Sequence, residues 1–339
     1  MTYSFSTPQL DEARQRVAGA TCWIVTDGKA GDENQCLGVA ELLRLSPDLR
    51  RVKPRAPFAW IMPRGPIDPA EASDKPDSPI APPFPDLAIA SGRRAVAYLR
   101  AIKTASRGRT VTVFLKDPRT GTSAADLIWV PSHDRLRGQN VVVTLTSPHR
   151  ISAERLEEAR RATPGWLNRN GLYGKRPVIG VLLGGDSRHH RFSEEDIAAL
   201  TEQLSALADS GGQLAVTPSR RTPPALSRAI QALCARHDGF FWSTEGDNPY
   251  LAILAHADHL IVTADSVNML GEAAATGKPI HLFTPGGGHT KISAFVNGLI
   301  DHGAVRPLIS RLENWTYPPL DATQTIAVAI AKTFAEKSL

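Results

Sequence analysis

The sequence predicts an α/β chain of two domains, each a parallel sheet with helices packed on its faces. Its 339 residues exceed one typical domain, and a hydrophobic share of 42% is enough to bury real cores. Short β-branched runs alternate with helical stretches from end to end, which is the pattern of β-α-β units and parallel pairing. A polar, glycine-bearing crossing at 165–176 interrupts that alternation and divides it into two series.

In the first series, residues 22–26 read as a buried strand, 27–32 as a glycine-punctuated loop, and 33–45 as a helix with apolar Leu37, Ala40 and Leu43. Residues 87–90, 111–115, 127–130 and 141–144 supply further strands, with a helix over about 93–102. Ten prolines between Pro54 and Pro85 deny helix continuation and sheet hydrogen bonds, so that stretch is an irregular excursion. A helix over 151–162 opens the junction. The second series places strands at 178–183, 213–217, 240–242, 259–263 and 279–283, a sheet of about five. Its helices fall at 194–208, 224–235, 249–255, 267–276 and 292–300, and a last helix spans 323–336. The expected division is therefore 1–150 for an N-terminal Rossmann-like domain, 151–176 for a linker helix and crossing, 177–320 for a C-terminal Rossmann-like domain, and 321–339 for the closing helix. Two such domains facing each other make the cleft between them the expected ligand site.

The formal charge of +5 comes from 39 basic and 34 acidic residues that are interspersed, which favours phosphorylated small molecules over a nucleic-acid groove. Cys22, Cys36 and Cys234 form no CxxC and no zinc spacing, so a reducing, cytoplasmic location is expected. Asp11 and Glu12 among Arg14 and Arg16 argue against a secretory or transit leader, and no apolar run reaches the roughly 20 residues a membrane span needs. Peripheral membrane contact stays open, and no protein partner is indicated.

Several loops carry chemistry. Gly184-Gly185 follows a strand and can bring backbone N–H groups to an anion; Ser187 and Arg188 follow, and the alternative is a tight turn with a solvated basic loop. Arg220-Arg221, framed by prolines after the next strand, suits phosphate or is a surface pair. Asp265-Ser266 opens a helix whose N-terminus attracts anions, or merely caps it. Glu272, one turn further, is a carboxylate for ribose hydroxyls or an ordinary exposed helical glutamate. The run Gly271 to Pro279 is no P-loop: five residues separate its glycines and it leads from helix to strand. Gly286-Gly287-Gly288-His289-Thr290-Lys291 suits a donor-sugar contact through His289 and Lys291, a mobile lid or a plain loop.

In the first domain, residues 26–35 crowd seven polar side chains around Gly28 and Gly31 at a strand-to-helix turn. Without GxGxxG a nicotinamide site is disfavoured, and Gly28, Lys29, Gly31 and Gln35 read as facing an acceptor or a phosphate. Asp27 or Asp32 can act as general base, or each can cap the next helix. Ser91-Gly92-Arg93-Arg94 and Lys116-Asp117-Pro118-Arg119 are further charged turns without specificity of their own. No Asp-x-Asp and no histidine cluster is present, so neither metal nor cofactor is expected.

From Asn248-Pro249-Tyr250 through Gly271-Glu272-Ala273-Ala274, Gly277-Lys278-Pro279 and Phe295-Val296-Asn297-Gly298, the chain resembles the donor domain of GT-B glycosyltransferases. That resemblance implies a glutamate at Glu272 on the nucleotide ribose, Gly184-Gly185 by the diphosphate, and residues 286–291 facing the donor sugar. From Trp23-Ile24-Val25-Thr26-Asp27-Gly28-Lys29-Ala30-Gly31 to Gly277-Lys278-Pro279 it more closely resembles the mitochondrial fission Elm-type family, bacterial members included. The combined expectation is a metal-independent glycosyltransferase binding a nucleoside diphosphate or nucleotide sugar. The alternatives are a non-catalytic scaffold or recruitment protein and a nucleoside-diphosphate-sugar epimerase.

Overall fold

The computed structural model describes residues 8–168 and 174–337. The chain forms two compact units, one of residues 1–150 with 321–339 and one of residues 151–320.

Unit 1 runs α1 (Pro8–Arg16), β1 (Cys22–Thr26), α2 (Ala30–Leu42), β2 (Asp48–Arg51), α3 (Phe58–Ile61), β3 (Leu87–Ala90), α4 (Ala95–Ala105), β4 (Val111–Leu115), β5 (Leu127–Pro131) and β6 (Val141–Thr144). Its sheet is parallel throughout in the order β2-β1-β3-β4-β5-β6. Alternate residues of one strand serve opposite cores: Cys22 and Ile24 of β1 pack with Val39 and Leu43, while Trp23 and Val25 pack with Tyr98 and Phe114. A sheet buried on both faces explains the unbroken apolar runs. The exception is β2, whose Asp-Leu-Arg-Arg carries no apolar pattern. It is held as an edge strand, with Arg50 lying 4.4 Å over the Trp23 ring.

Unit 2 runs α5 (Ala153–Arg161), β7 (Val178–Leu183), α6 (Glu194–Asp209), β8 (Gln213–Pro218), α7 (Pro224–Arg236), β9 (Phe240–Phe241), α8 (Tyr250–His256), β10 (His259–Thr263), α9 (Val267–Ala274), β11 (Ile280–Phe283), α10 (Thr290–Asp301) and β12 (Val305–Pro307). The sheet has six parallel strands in the order β12-β11-β10-β7-β8-β9. It is one strand larger than the expected five because β12, only three residues, escapes periodicity. A Ser193–Asp196 capping box starts α6. Helix α5 packs on α8, where Arg160 Nε donates to the Ala255 carbonyl at 2.9 Å. Part of the expected 165–176 crossing lies outside the described residues.

The last helix, α11 (Ala322–Lys337), belongs to unit 1, where Ile326, Ala327, Ile330 and Ala331 join the core of α2 and β1. His149 N donates to Thr323 Oγ1 at 3.0 Å, and Lys337 Nζ reaches Asp126 at 2.7 Å. Among the described residues no helix is long and apolar enough to cross a membrane.

Candidate functional site

In doubly wound sheets, ligands gather outside the carboxyl ends of the strands where the winding reverses. In unit 2 that point lies between β7 and β10, which end at Leu183 and Thr263. Gly184 N donates to Thr263 Oγ1 at 2.8 Å and Gly185 N to Asp265 Oδ2 at 2.7 Å; Thr263 Oγ1 donates to the other Asp265 oxygen at 2.7 Å. A Cβ on Gly184 would strike the Asp265 carboxylate, and one on Gly185 the Arg221 carbonyl, so both positions require glycine. The expectation that these N–H groups serve a diphosphate is thereby corrected, because the Thr263 hydroxyl already occupies Gly184 N and the buried Asp265 carboxylate occupies Gly185 N. Nor does Asp265 cap α9. Of the arginine pair, Arg221 turns inward, donating to the Asp186 carbonyl at 3.2 Å and approaching Asp265 at 3.5 Å. Arg188 and Arg220 are exposed, and neither makes a hydrogen bond among the described residues.

Helix α9 has Ser266, 9% exposed, at its N-cap position, and the Ser266 hydroxyl caps no backbone amide. Its first-turn amides thus keep their donors and the positive end of the helix dipole. Further along α9, the Glu272 carboxylate accepts from the Tyr250 hydroxyl. Burial raises the Glu272 pKa above the usual carboxylate range, with the Tyr250 hydrogen bond opposing it. Glu272 is therefore a fixed acceptor and not a freely exposed helical residue.

Two loops that are distant in sequence join beside this edge. His190 and Gly287 form an antiparallel bridge, and Gly288 N donates to the His189 carbonyl at 2.7 Å. The His189 and His289 rings lie 4.3 Å apart, and burial, then His289 and Arg188, hold His189 below its ordinary pKa. Ser187 Oγ accepts from the His189 and His190 amides at 3.1 Å each, which makes it a turn-former. His289 Nδ1 caps α10 by accepting from Lys291 N at 3.2 Å. A cavity of about 640 Å³ opens there, lined by Gly288, His289, Thr290, Ser293, Ala294 and Asn297. Lys278, in the false P-loop, donates to the Ala255 and Ala257 carbonyls at the end of α8, and burial drags its ammonium to about 7.

In unit 1 the winding reverses between β1 and β3, and the charged loops meet there. Lys116 Nζ pairs with Asp32 Oδ1, and Ser91 Oγ donates to the same oxygen at 3.1 Å. Lys116 takes φ +142, a conformation that strains a residue with a Cβ and that places its ammonium on Asp32. Asp27 Oδ2 pairs with Lys29 at 2.9 Å; its side chain is 5% exposed, and Oδ1 is buried with no hydrogen-bond partner among the described residues. Gly92, at φ +97, makes room for both carboxylates, since a Cβ there would sit 3.2 Å from Asp27 Oδ1 and 3.2 Å from Asp32 Oδ2. Neither aspartate caps α2, whose N-cap Lys29 has no side-chain cap. Glu33 is bound to Arg51 at 2.7 and 3.0 Å, which lowers its pKa. A Cβ on Gly31 would meet open space, whereas Gly28 turns at φ +85 with Arg51 3.8 Å from where its Cβ would be; Gln35 Oε1 is buried without a partner among the described residues.

Lys116, Gly92 and Tyr250 were not singled out by sequence reasoning as site residues, and Arg221 only as half of a phosphate-suited pair. Tyr250 had a signal, the Asn-Pro-Tyr run preceding α8; Lys116 had only its place at the end of a strand. Among the described residues no group of three or more His, Cys, Asp or Glu is placed to hold a metal.

Comparison with known proteins agrees with this architecture. The chain is 28% identical over 280 residues to mitochondrial fission protein ELM1 of Arabidopsis thaliana, covering 75% of this chain and 65% of that protein. It is 31% identical over 164 residues to an uncharacterized protein of Rickettsia prowazekii, 46% of either chain. The chain thus spans less than two thirds of these relatives. Among solved structures it resembles a protein described as a UDP-N-acetylglucosamine 2-epimerase of Listeria monocytogenes, with TM-score 0.55 and 11% identity over 86% of this chain and 85% of the other. It also resembles the Neisseria meningitidis UDP-GlcNAc 2-epimerase bound to UDP-GlcNAc, with TM-score 0.53 and 11% identity over 93% and 90%. At such identity the likeness establishes the fold alone, that of two Rossmann-like units of the GT-B class. The family model of mitochondrial fission ELM1 matches residues 30–334, nearly the whole chain, and the protein belongs to that family.

Proposed function

We propose that unit 2 binds a nucleoside diphosphate sugar as the donor of a glycosyl transfer, and that unit 1 carries the base for an acceptor hydroxyl. The observation that carries this reading is α9: its uncapped N-terminus lies at the winding reversal, and the same helix bears Glu272 fixed by Tyr250. The first-turn amides with Ser266, and the exposed guanidinium groups of Arg188 and Arg220, take the diphosphate. Glu272 accepts the ribose hydroxyls. Gly184 and Gly185 shape the floor through Asp265, Ser187 holds the adjoining turn, and His289 with Lys291 faces the donor sugar.

In unit 1, Asp27 Oδ1, a buried acceptor atom without a hydrogen-bond partner among the described residues, takes the proton of the acceptor hydroxyl, whose oxygen bonds to the anomeric carbon of the donor sugar. The bond from that carbon to the diphosphate breaks, and its electron pair leaves with the diphosphate, whose charge the α9 N-terminus stabilises. Asp32 positions Lys116, and Gly28, Lys29, Gly31 and Gln35 shape the acceptor loop. Binding requires no metal in this reading, so chelation leaves affinity unchanged.

A second reading is supported by the family itself, because the plant relative carries the name of a mitochondrial fission protein. There the nucleotide pocket persists without turnover and the surface recruits a partner. The test is release of UDP from UDP-GlcNAc, the sugar nucleotide in the Neisseria structure, measured with a panel of hydroxyl acceptors and repeated with ADP- and GDP-sugars. Stabilisation by a nucleotide, about 2.7 kcal/mol at a hundredfold excess over Kd, together with diphosphate release supports the transferase. Stabilisation without release under any acceptor supports the scaffold, and no stabilisation removes both nucleotide-based readings.

A further inference from the structure

We infer that residues 53–64 of unit 1 form a docking ridge for an anionic lipid bilayer. Trp60 and Ile61 are 75% and 49% exposed, the two most exposed large hydrophobic side chains among the described residues, and they are adjacent. Single exposed apolar residues are ordinary; a neighbouring Trp-Ile pair on one short helix is not.

The helix α3 that carries them is firmly held. Its inner side buries Ala59 and, just beyond it, Met62. Arg93 donates to the carbonyls of Met62 at 2.9 Å and Ala59 at 3.2 Å, and Arg100 donates to that of Pro63 at 2.8 Å. Two guanidinium groups therefore satisfy the backbone that presents Trp60 and Ile61 to solvent, so docking orders little that is not already ordered.

Charge identifies the occupant. Between Arg50 and Ile67 the chain carries Arg50, Arg51, Lys53, Arg55 and Arg64 and no carboxylate. Arg50 and Arg51 pair with Asp48 and Glu33, so the free charge lies further along; of the acids that follow, Asp68 is 1% exposed beneath Arg55 and Glu71 accepts from Tyr98, while the exposed Asp74 and Asp77 lie beyond the ridge. Lys53 and Arg64 are exposed and hold no ion pair among the described residues, and Arg55 keeps 67% of its side chain in solvent. An apolar tip of one Trp and one Ile is far smaller than the roughly 800 Å² per partner that a standard protein interface buries. It does suit the headgroup boundary, where indole rings settle and each cation gains attraction to anionic lipid.

The test is co-sedimentation of the full chain with vesicles of phosphatidylcholine alone and of phosphatidylcholine mixed with phosphatidylglycerol. The chain should partition onto the mixed vesicles, weaken as salt rises, and leave the neutral ones largely bare. The double variant Trp60→Ser/Ile61→Ser should lose roughly tenfold or more of its partition, and Lys53→Gln and Arg64→Gln should each lose about fivefold. All these positions are exposed, so circular dichroism melts should match the parent. Equal binding to neutral vesicles, no binding to either, or binding unchanged in the double variant overturns the proposal. So does capture by immobilised polyglutamate without vesicle binding, which would assign the ridge to an acidic protein partner.

Discussion

Two carboxylates carry the proposed chemistry, and their environments assign them opposite duties. Asp27 has a buried oxygen with no donor among the described residues, at a cost of about 1–3 kcal/mol or more for a charged group. Asp27→Asn should lower turnover by about 10²- to 10⁴-fold and leave nucleotide affinity unchanged; a matching loss of affinity in a titration would contradict the general-base role. Glu272 is strained in another way, since burial lifts its pKa above 4.5. With the folded value raised, its ionised form is disfavoured by the fold, and stability falls as pH rises through 4.5 toward that value. Glu272→Gln should therefore melt higher than the parent at neutral pH while binding nucleoside more weakly, as scanning calorimetry and titration would show. Both residues were legible in the sequence as candidates. The role of Gly184-Gly185 was misjudged because the group on Gly185 N is Asp265, 80 residues away, and only the sheet order reveals that adjacency.

Among the elements, α11 has the clearest electrostatic tie. Burial would raise the Asp126 carboxyl, yet hydrogen bonds from Lys103, Lys337 and Thr112 overcome it and hold the pKa at about 2. A depressed carboxyl contributes its stability above the unfolded value of 3.8 and loses it as pH falls toward 2. That contribution is about 2 kcal/mol. Urea midpoints measured from pH 5 to pH 2 should fall more steeply in the parent than in Asp126→Asn, and parallel curves would contradict the assignment. The long apolar strands and amphipathic helices were readable from periodicity, because both faces of each sheet are buried. Strands β2 and β12 were not, since an edge strand of Asp-Leu-Arg-Arg or Val-Arg-Pro meets water or an arginine on most of its positions.

For the whole molecule, the chain crosses from unit 1 to unit 2 and returns, so the two units should differ in autonomy. A fragment of residues 151–320 keeps all six strands of its sheet and the core around Leu200, Leu204, Leu214 and Ile230. It should fold alone with a cooperative melt. A chain ending at 320 leaves the α11 side of unit 1 bare, with Ile326 and Ile330 missing from a packed core where even one Ile→Ala change costs about 2–5 kcal/mol. Its unit 1 should unfold, and a fully native melt of that truncation would contradict the packing described.

The central claim, a nucleoside diphosphate held between the α9 N-terminus and Glu272, is tested most directly by calorimetric titration of UDP and UDP-GlcNAc into the full chain, with and without chelator. The expected result is binding that is indifferent to chelation. Arg220→Ala should weaken it about ten- to a hundredfold for both ligands through loss of a charge-assisted phosphate contact, and Glu272→Gln should weaken uridine as well. Folded variants that bind like the parent, or a parent that binds neither these ligands nor their adenine and guanine counterparts, would contradict it.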